Sequence, residues 1–180
     1  MNTFKLKYLL PLTVIALFIS CEDTTEEQKQ FETFTFTSEN AKTFDNQYFA
    51  FATNMADTTE PASWDINFTG ESFSPAPGAP VIFNPFISLG VNVSVAILAD
   101  STLADEPTVT SATVFESDTD STKVIYDWYD MDEYHILYPK TNVYVVKTAA
   151  MDYYAFEIKD YYDNEGNSGV FTIDWVQLDY

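Results

Sequence analysis

The sequence predicts an all-β fold, either an antiparallel sandwich or a distorted barrel. From Phe31 onward, apolar and polar residues alternate with a period of two, which is typical of strands with one buried face. Segments rich in Gly, Pro, Asn, Asp and Ser separate the alternating runs, and such segments form turns between neighbouring strands. No segment has a convincing amphipathic helical pattern, although residues 37–46, TSENAKTFDN, are compatible with one short helix.

Four strands are predicted in the N-terminal half of this domain. Each contains aromatic or β-branched residues at alternate positions, and these side chains suit a pleated, half-buried surface. Smaller or polar residues, such as threonine, alanine and asparagine, occupy the positions between them. The alternating residues are Phe34 and Phe36; Phe49 and Phe51; Trp64, Ile66 and Phe68; and Val91, Val93, Val95 and Ile97.

The C-terminal half predicts four further strands, each bounded by turn residues such as YPKTN and DNEGNSG. Strands joined by short turns pair as antiparallel neighbours. No internal repeat is present. The runs are KVIYDWY, TNVYVVKT, YYAFEIKDYY and GVFTIDWVQLDY, and in the last of them Phe171, Ile173 and Trp175 share one face.

Residues 1–20 have the pattern of an export signal. Lys5 and Lys7 precede the uncharged run YLLPLTVIALFIS, which is shorter than the roughly 20 apolar residues of a membrane-spanning helix. The run ends in FISC, which resembles a lipobox, so Cys21 is the expected lipidation site. An ordinary secretory signal is the alternative. Residues 21–30 are expected to form an acidic, flexible tether, and residues 31–180 a single domain.

The chain is strongly acidic and contains no arginine. After residue 20, six lysines stand against 28 acidic residues, a net charge of −22. Binding to nucleic acid is therefore not expected, because neutralising phosphates requires basic groups. Cys21 is the only cysteine, which excludes a disulfide within the chain. The mature domain is expected to be stabilised by its hydrophobic core.

Residues that carry catalytic chemistry are scarce. One histidine, one cysteine and no G-x-S-x-G motif leave almost no material for a nucleophilic triad. The loop DNEGNSG lacks the glutamate that completes an EF-hand, and a zinc site would need more nitrogen or sulfur ligands near the histidine. The sequence predicts a binding protein and not an enzyme.

The only histidine, His135, lies in DMDEYHILYP, with Met131 four positions before it. Histidine and methionine are both axial donors to heme iron, and aromatic side chains can cover the porphyrin. Tyr134, Tyr138 and Trp128 are candidates for that contact, or for ordinary core packing. The residues alone also leave open a structural role for His135 on a strand.

The C-terminal third resembles the HmuY family of heme-binding bacterial lipoproteins. The resemblance lies in a valine- and aromatic-rich strand, NVYVVKTA, followed by YYAFEIKDYYD and a last strand, NSGVFTIDWVQLDY. The segment ASWDINFTG resembles another strand of the family. The lipobox and the short tether agree with it.

This resemblance implies a lipid-anchored domain on the outer membrane, exposed at the cell surface. Members of the family take up heme for iron acquisition and pass it to a TonB-dependent receptor. It also implies two axial side chains on the iron. His135 lies near the second axial position of the family and is the first candidate for the iron ligand, with Met131 second. Met55 and Met151 are more distant candidates.

The chain departs from the family pattern in three places. A single histidine excludes a bis-histidine site within one chain. ESFSPAPGAPVIFNPF replaces a glycine-rich segment, and the region of the first axial ligand is shortened to ATVFESDTDSTKV. Two alternatives to the heme-capture hypothesis follow. One is a protein of this fold that binds no heme and serves as a ligand- or protein-binding accessory subunit; the other is a carbohydrate-binding module.

Overall fold

The computed structural model describes residues Phe31–Tyr180. The expected signal, the lipidation site at Cys21 and the tether lie outside the described residues. Within the described part of the chain, no helix is both long and apolar enough to cross a membrane.

The larger sheet has five antiparallel strands, and its two longest strands lie at its centre. Because every neighbouring pair is antiparallel, short turns can join strands that follow one another in the chain. The order across the sheet is β1 (Phe34–Asn40), β11 (Ser168–Leu178), β10 (Tyr153–Tyr162), β9 (Asn142–Lys147) and β6 (Ser94–Ala99).

The smaller sheet has four antiparallel strands, in the order β3 (Met55–Asp57), β2 (Asn46–Ala50), β4 (Ile66–Phe73) and β5 (Ile82–Leu89). A separate two-stranded hairpin consists of β7 (Tyr129–Met131) and β8 (Leu137–Pro139). The remaining elements are one short helix, α1 (Ala41–Phe44), and two 3₁₀ turns, Phe51–Thr53 and Leu103–Asp105.

The two large sheets pack face to face through a core of aromatic side chains. Phe51 stacks on Tyr154 with ring centroids 5.1 Å apart, and Phe49 meets Trp175 edge-on at 6.2 Å. A second, smaller apolar cluster covers the opposite face of the five-stranded sheet, where Val143 and Val145 are fully buried. Burial on both faces explains why the run NVYVV has no polar residue between its apolar ones.

The all-β class and the antiparallel arrangement are confirmed, with α1 inside the segment predicted to form a helix. In the described part of the chain the two large sheets do not close on one another, so the sandwich is the form observed. The strand β5, which contains Pro85, was not predicted from the sequence. A proline has no N–H for a ladder, but β5 is an edge strand of its sheet, where proline is tolerated.

Two predicted strands differ from the structure. The segment KVIYDWY is mostly irregular: Ile125 forms an isolated bridge with Ile87, and only Tyr129 belongs to a strand. Val91 lies in an exposed turn, and β6 begins only at Ser94. Val93, Ile125 and Trp128 are nevertheless buried, because irregular segments outside the backbone ladder also pack on the core.

Candidate functional site

The sequence-predicted site residues lie on the β7–β8 hairpin. Met131 ends β7 and pairs with Leu137 of β8. His135 is exposed in the turn between the two strands. No described residue makes a hydrogen bond or an ion pair with the His135 side chain. The two candidates are therefore close in the fold, and the imidazole is accessible to solvent.

Asp132 organises the turn. Its Oδ1 accepts hydrogen bonds from the backbone N–H groups of Tyr134 and Ile136, both at 2.9 Å, and its Oδ2 accepts one from the Tyr138 hydroxyl at 3.2 Å. The backbone closes the loop twice, from Asp132 N to Ile136 O and from His135 N to Asp132 O, both at 3.1 Å. This is a three-residue hairpin loop, whose last residue adopts the left-handed conformation.

That last residue is His135, with φ at +64°. A left-handed conformation is favoured by glycine and is uncommon for residues with a side chain. Two other turns of the larger sheet have the same pattern of backbone hydrogen bonds. The turn between β9 and β10 places Met151 there, with φ at +72°, and the turn between β10 and β11 places Gly166 there, with φ at +84°.

The electrostatics of the hairpin are dominated by carboxylates. The hydrogen bond from the Ile136 N–H is the main cause that lowers the pKa of Asp132 below its ordinary value, and the positive charge that His135 can carry lowers it further. The same carboxylate accepts from the Tyr138 hydroxyl and raises the pKa of that phenol. Lys140 directly follows β8, and its Nζ lies 2.7 Å from Asp127 Oδ2 and 3.9 Å from Asp130 Oδ1.

Large apolar side chains are exposed on this hairpin. Met131 is 56% exposed and Tyr134 75% exposed, and Ile136 and Tyr138 are also exposed. Trp128 is different: it is fully buried against Tyr161 and Phe171, and its Nε1 donates to the Pro85 carbonyl at 3.1 Å. Of the three aromatic residues considered for stacking, Trp128 therefore belongs to the core, and Tyr134 and Tyr138 to the surface.

Tyrosines attach the hairpin to the sandwich. The Leu137 N–H donates to the Tyr162 hydroxyl at 2.8 Å, and the Tyr129 hydroxyl donates to Asn84 Oδ1 at 2.9 Å. The Tyr161 hydroxyl is buried without a hydrogen-bond partner among the described residues. Burial raises the pKa of Tyr161, so this phenol remains protonated. The hairpin is therefore attached to the sandwich both at its base, through Tyr129, and beside its turn, through Leu137.

The other two candidate methionines lie at the opposite end of the molecule. Met151 precedes β10, whereas the hairpin contacts Tyr162 at the end of β10. Ten residues of extended strand span about 30 Å. Met55 pairs with Ala50 in the smaller sheet. Ala50 lines a cleft whose lining also includes Asp152, the residue that follows Met151. The structure thus brings Met131 to His135 and separates both from Met55 and Met151.

The cleft at that far end has a volume of ≈ 420 Å³. Its lining includes Trp64, three carboxylates (Glu60, Asp65 and Asp152) and no basic residue. Burial raises the pKa of Asp65, while the hydrogen bond that it accepts from the Phe51 N–H at 2.9 Å opposes this, and the charge of Asp152 raises it again. This cleft contains none of the sequence-predicted ligands.

Asp132 and Tyr162 are residues of the candidate site that were not predicted from the sequence. Asp132 could have been predicted, because DEYHI and DNEGN both have an aspartate three residues before the residue with a left-handed backbone. The role of Tyr162 had no such signal, since it depends on a contact between residues 25 positions apart.

A family model described as HmuY protein matches residues 27–175. The comparison with curated proteins gives no match.

Solved structures share the fold. A protein from Bacteroides vulgatus described as HmuY-like and heme-binding is 16% identical, covers 80% of this chain and 91% of its own, and has a TM-score of 0.56. The apo form of an HmuY analogue from Tannerella forsythia is 10% identical, with 83% and 98% coverage and a TM-score of 0.56. A Bacteroides fragilis protein described as a lipoprotein is 15% identical, with 80% and 88% coverage and a TM-score of 0.55.

Proposed function

This chain belongs to the HmuY family, and we propose that it captures heme with the imidazole of His135 as an iron ligand. One observation carries the proposal: the only histidine is exposed, without a hydrogen bond among the described residues, at a left-handed turn position. The turn itself does not require histidine, since Gly166 occupies the equivalent position in another turn.

The chemistry of the hairpin agrees with heme on one side of the iron. A neutral imidazole nitrogen is an accepted donor to heme iron. Next to it, the exposed side chains of Met131, Tyr134 and Ile136 offer apolar surface, and covering a porphyrin with such surface is favourable by about 25 cal/mol per Å². The bound iron would supply a Lewis-acidic centre that accepts the imidazole lone pair.

Met131 is proposed to contact the porphyrin and not to act as the second axial ligand beside His135. Axial donors lie on opposite faces of the porphyrin. Met131 directly precedes Asp132, and the loop that follows is closed by hydrogen bonds at 3.1 Å. A porphyrin does not fit between two side chains whose backbones are joined by such a short, closed loop.

The remaining residues of the site position the imidazole. Asp132 fixes the turn, and Tyr162 attaches the residue that follows the turn, Leu137, to β10. Protonation of the imidazole competes with iron for the same nitrogen, so acid would favour release of the ligand. The chain would therefore act as a reversible binding protein and not as an enzyme.

Membership of the family and the N-terminal sequence support a wider role. A lipid anchor on Cys21 would hold the domain on the outer membrane, with the tether at residues 21–30 extending it from the cell surface. Heme taken up there, from solution or from a host hemoprotein, would pass to a TonB-dependent receptor for iron acquisition.

A hemin titration tests the proposal. The full chain in detergent is titrated with hemin while the Soret band is followed, in parallel with His135→Gly and Met151→Gly. Both substitutions place glycine at a left-handed turn position, so both leave the backbone unstrained. We expect His135→Gly to weaken binding at least tenfold and Met151→Gly to leave it unchanged. Equal binding by all three proteins would contradict the assignment of His135.

The Met131→Leu variant separates contact from ligation. Leucine keeps a comparable apolar volume without the sulfur. If Met131 only packs against the porphyrin, we expect hemin affinity within about threefold of the unsubstituted protein and an unchanged Soret position. A shifted Soret band in this variant would mean that the sulfur binds the iron.

A second candidate function is supported by the Trp64 cleft. A volume of ≈ 420 Å³ lies in the range of small-molecule sites. An indole together with carboxylates, with no basic residue in the lining, favours a small organic cation. The protein would then be a ligand-binding accessory subunit without heme.

Calorimetry with choline and with its neutral isostere, 3,3-dimethyl-1-butanol, tests this second function. Only choline should bind, and Trp64→Leu should abolish the binding.

A further inference from the structure

The β7–β8 hairpin supplies an iron donor on one side only, and we infer that a second copy of the chain supplies the other. One heme would then bind between two chains, with His135 of each copy as an axial ligand. This inference rests on the proposed function, since it requires that His135 binds iron.

The second copy is inferred from the small number of histidine and methionine donors in the chain. His135 is the only histidine. Met131 shares its closed hairpin, and Met55 and Met151 lie near the other end of β10, about 30 Å away. The described part of the chain therefore places no second imidazole or thioether where it can reach the open face of an iron bound to His135.

The shape of the hairpin permits such a pairing. His135 lies in the exposed turn that joins β7 to β8, and the hairpin is held to the sandwich by Tyr129 at its base and by Leu137 directly after the turn. Because the imidazole is exposed in this turn, two such turns can approach one another. A donor in a deep pocket could not be shared in this way.

Apolar surface gives the second argument. One hairpin, through Met131, Tyr134 and Ile136, can cover only one face of a porphyrin, and the other face would remain in water. A second copy would cover that face with the same three side chains. Burying both faces approximately doubles the apolar area removed from water and so the hydrophobic contribution to binding.

Charge opposes the pairing and makes it dependent on salt. Glu133 lies in the turn, Asp130 is exposed on β7, and the chain after residue 20 carries a net charge of −22. Repulsion between two such chains is screened over about 10 Å at 0.1 M salt and about 3 Å at 1 M. The shared complex is therefore expected to form more readily as salt concentration rises, in contrast to a complex held by ion pairs.

Analytical ultracentrifugation with absorbance at the Soret band tests the inference. The full chain in detergent is measured with and without hemin, at low and at high salt. We expect the protein mass per particle to double on adding half an equivalent of hemin, with a low-spin spectrum typical of two imidazole ligands. Free imidazole in excess should return the complex to single chains while the low-spin spectrum persists, because it replaces His135 of the second copy.

The outcomes separate the two proposals. One heme per single chain, lost in His135→Gly, would overturn the shared site and leave the proposed function intact. No hemin binding at all would overturn both. A hemin-dependent pair that forms equally well with His135→Gly would show that two chains associate through some other surface, and it would also overturn the inference.

Discussion

His135 and Gly166 occupy the same position in two turns with the same hydrogen-bond pattern. In each turn an aspartate, Asp132 or Asp163, accepts the N–H groups two and four residues later, at 2.8 to 2.9 Å. In each turn, the residue three positions after the aspartate has a positive φ, +64° for His135 and +84° for Gly166. The glycine adopts this conformation at no steric cost, whereas the histidine does so at a cost.

Removing the side chain at position 135 and adding one at position 166 should change the free energy of unfolding in opposite directions. His135→Gly is expected to raise the free energy of unfolding by between zero and about 1 kcal/mol, because the strain of the left-handed backbone is relieved. Gly166→Ala should destabilise it by about 1 kcal/mol. A Cβ at Gly166 meets no atom within 4 Å, so conformational strain is the only penalty. Urea denaturation of both variants measures the difference; destabilisation by His135→Gly would mean that the imidazole itself supports the turn.

The turn that carries His135 should open in acid. Because hydrogen bonds lower the pKa of Asp132 in the folded protein, its contribution to stability is fully present above the ordinary aspartate pKa of about 3.9. It is lost as pH falls through the lowered value. The amide protons of Tyr134 and Ile136, followed by NMR, should exchange several-fold faster below that pH.

Asp132→Asn is the matched control for this acid transition. The asparagine Oδ1 can still accept the two backbone N–H groups, but the amide does not titrate in this range. The transition should therefore be absent in the variant. An acid transition of the same size in Asp132→Asn would assign it to another group.

Removal of the Tyr162 hydroxyl should loosen the hairpin beside its turn. Tyr162→Phe leaves the Leu137 N–H without its acceptor at 2.8 Å, a loss of about 1 kcal/mol. We expect faster amide exchange at Leu137 and weaker hemin binding. Tyr153→Phe, near the other end of β10, is the control and should leave both properties unchanged; equal effects of the two substitutions would contradict the attachment role.

Gly90→Ala should disturb the cleft at the other end of the sandwich. A Cβ on Gly90 would overlap the carbonyl oxygen of Trp64, which is rigid backbone. Overpacking of this kind typically costs about 1–3 kcal/mol. Denaturation and Trp fluorescence measure the effect. Hemin binding should remain if the site is at His135, and its loss would move the heme site to the Trp64 end.

The sequence predicts a candidate site at His135 and Met131, and the structure places both residues on the β7–β8 hairpin. It predicts the surroundings of that hairpin only in part. His135 and Met131 lie four positions apart, so any local structure keeps them near one another. Trp128 precedes the same segment and has the composition of a surface-stacking residue, yet it is fully buried. Its burial depends on Tyr161 and Phe171, which are distant in sequence, and alternation along a strand carries no information about such partners.

The sequence by itself determined the all-β class, the family and the scarcity of iron donors, because alternation, turn residues and residue counts are properties of the chain. Only the tertiary structure decided that His135 lies exposed in a turn at a glycine-type position. It alone separated Met151 from His135 by the length of β10, so that no second imidazole or thioether reaches the iron face opposite His135 from the described residues. Such distances arise from strand pairing between residues far apart in sequence, and pairing is set by the packing of whole sheets.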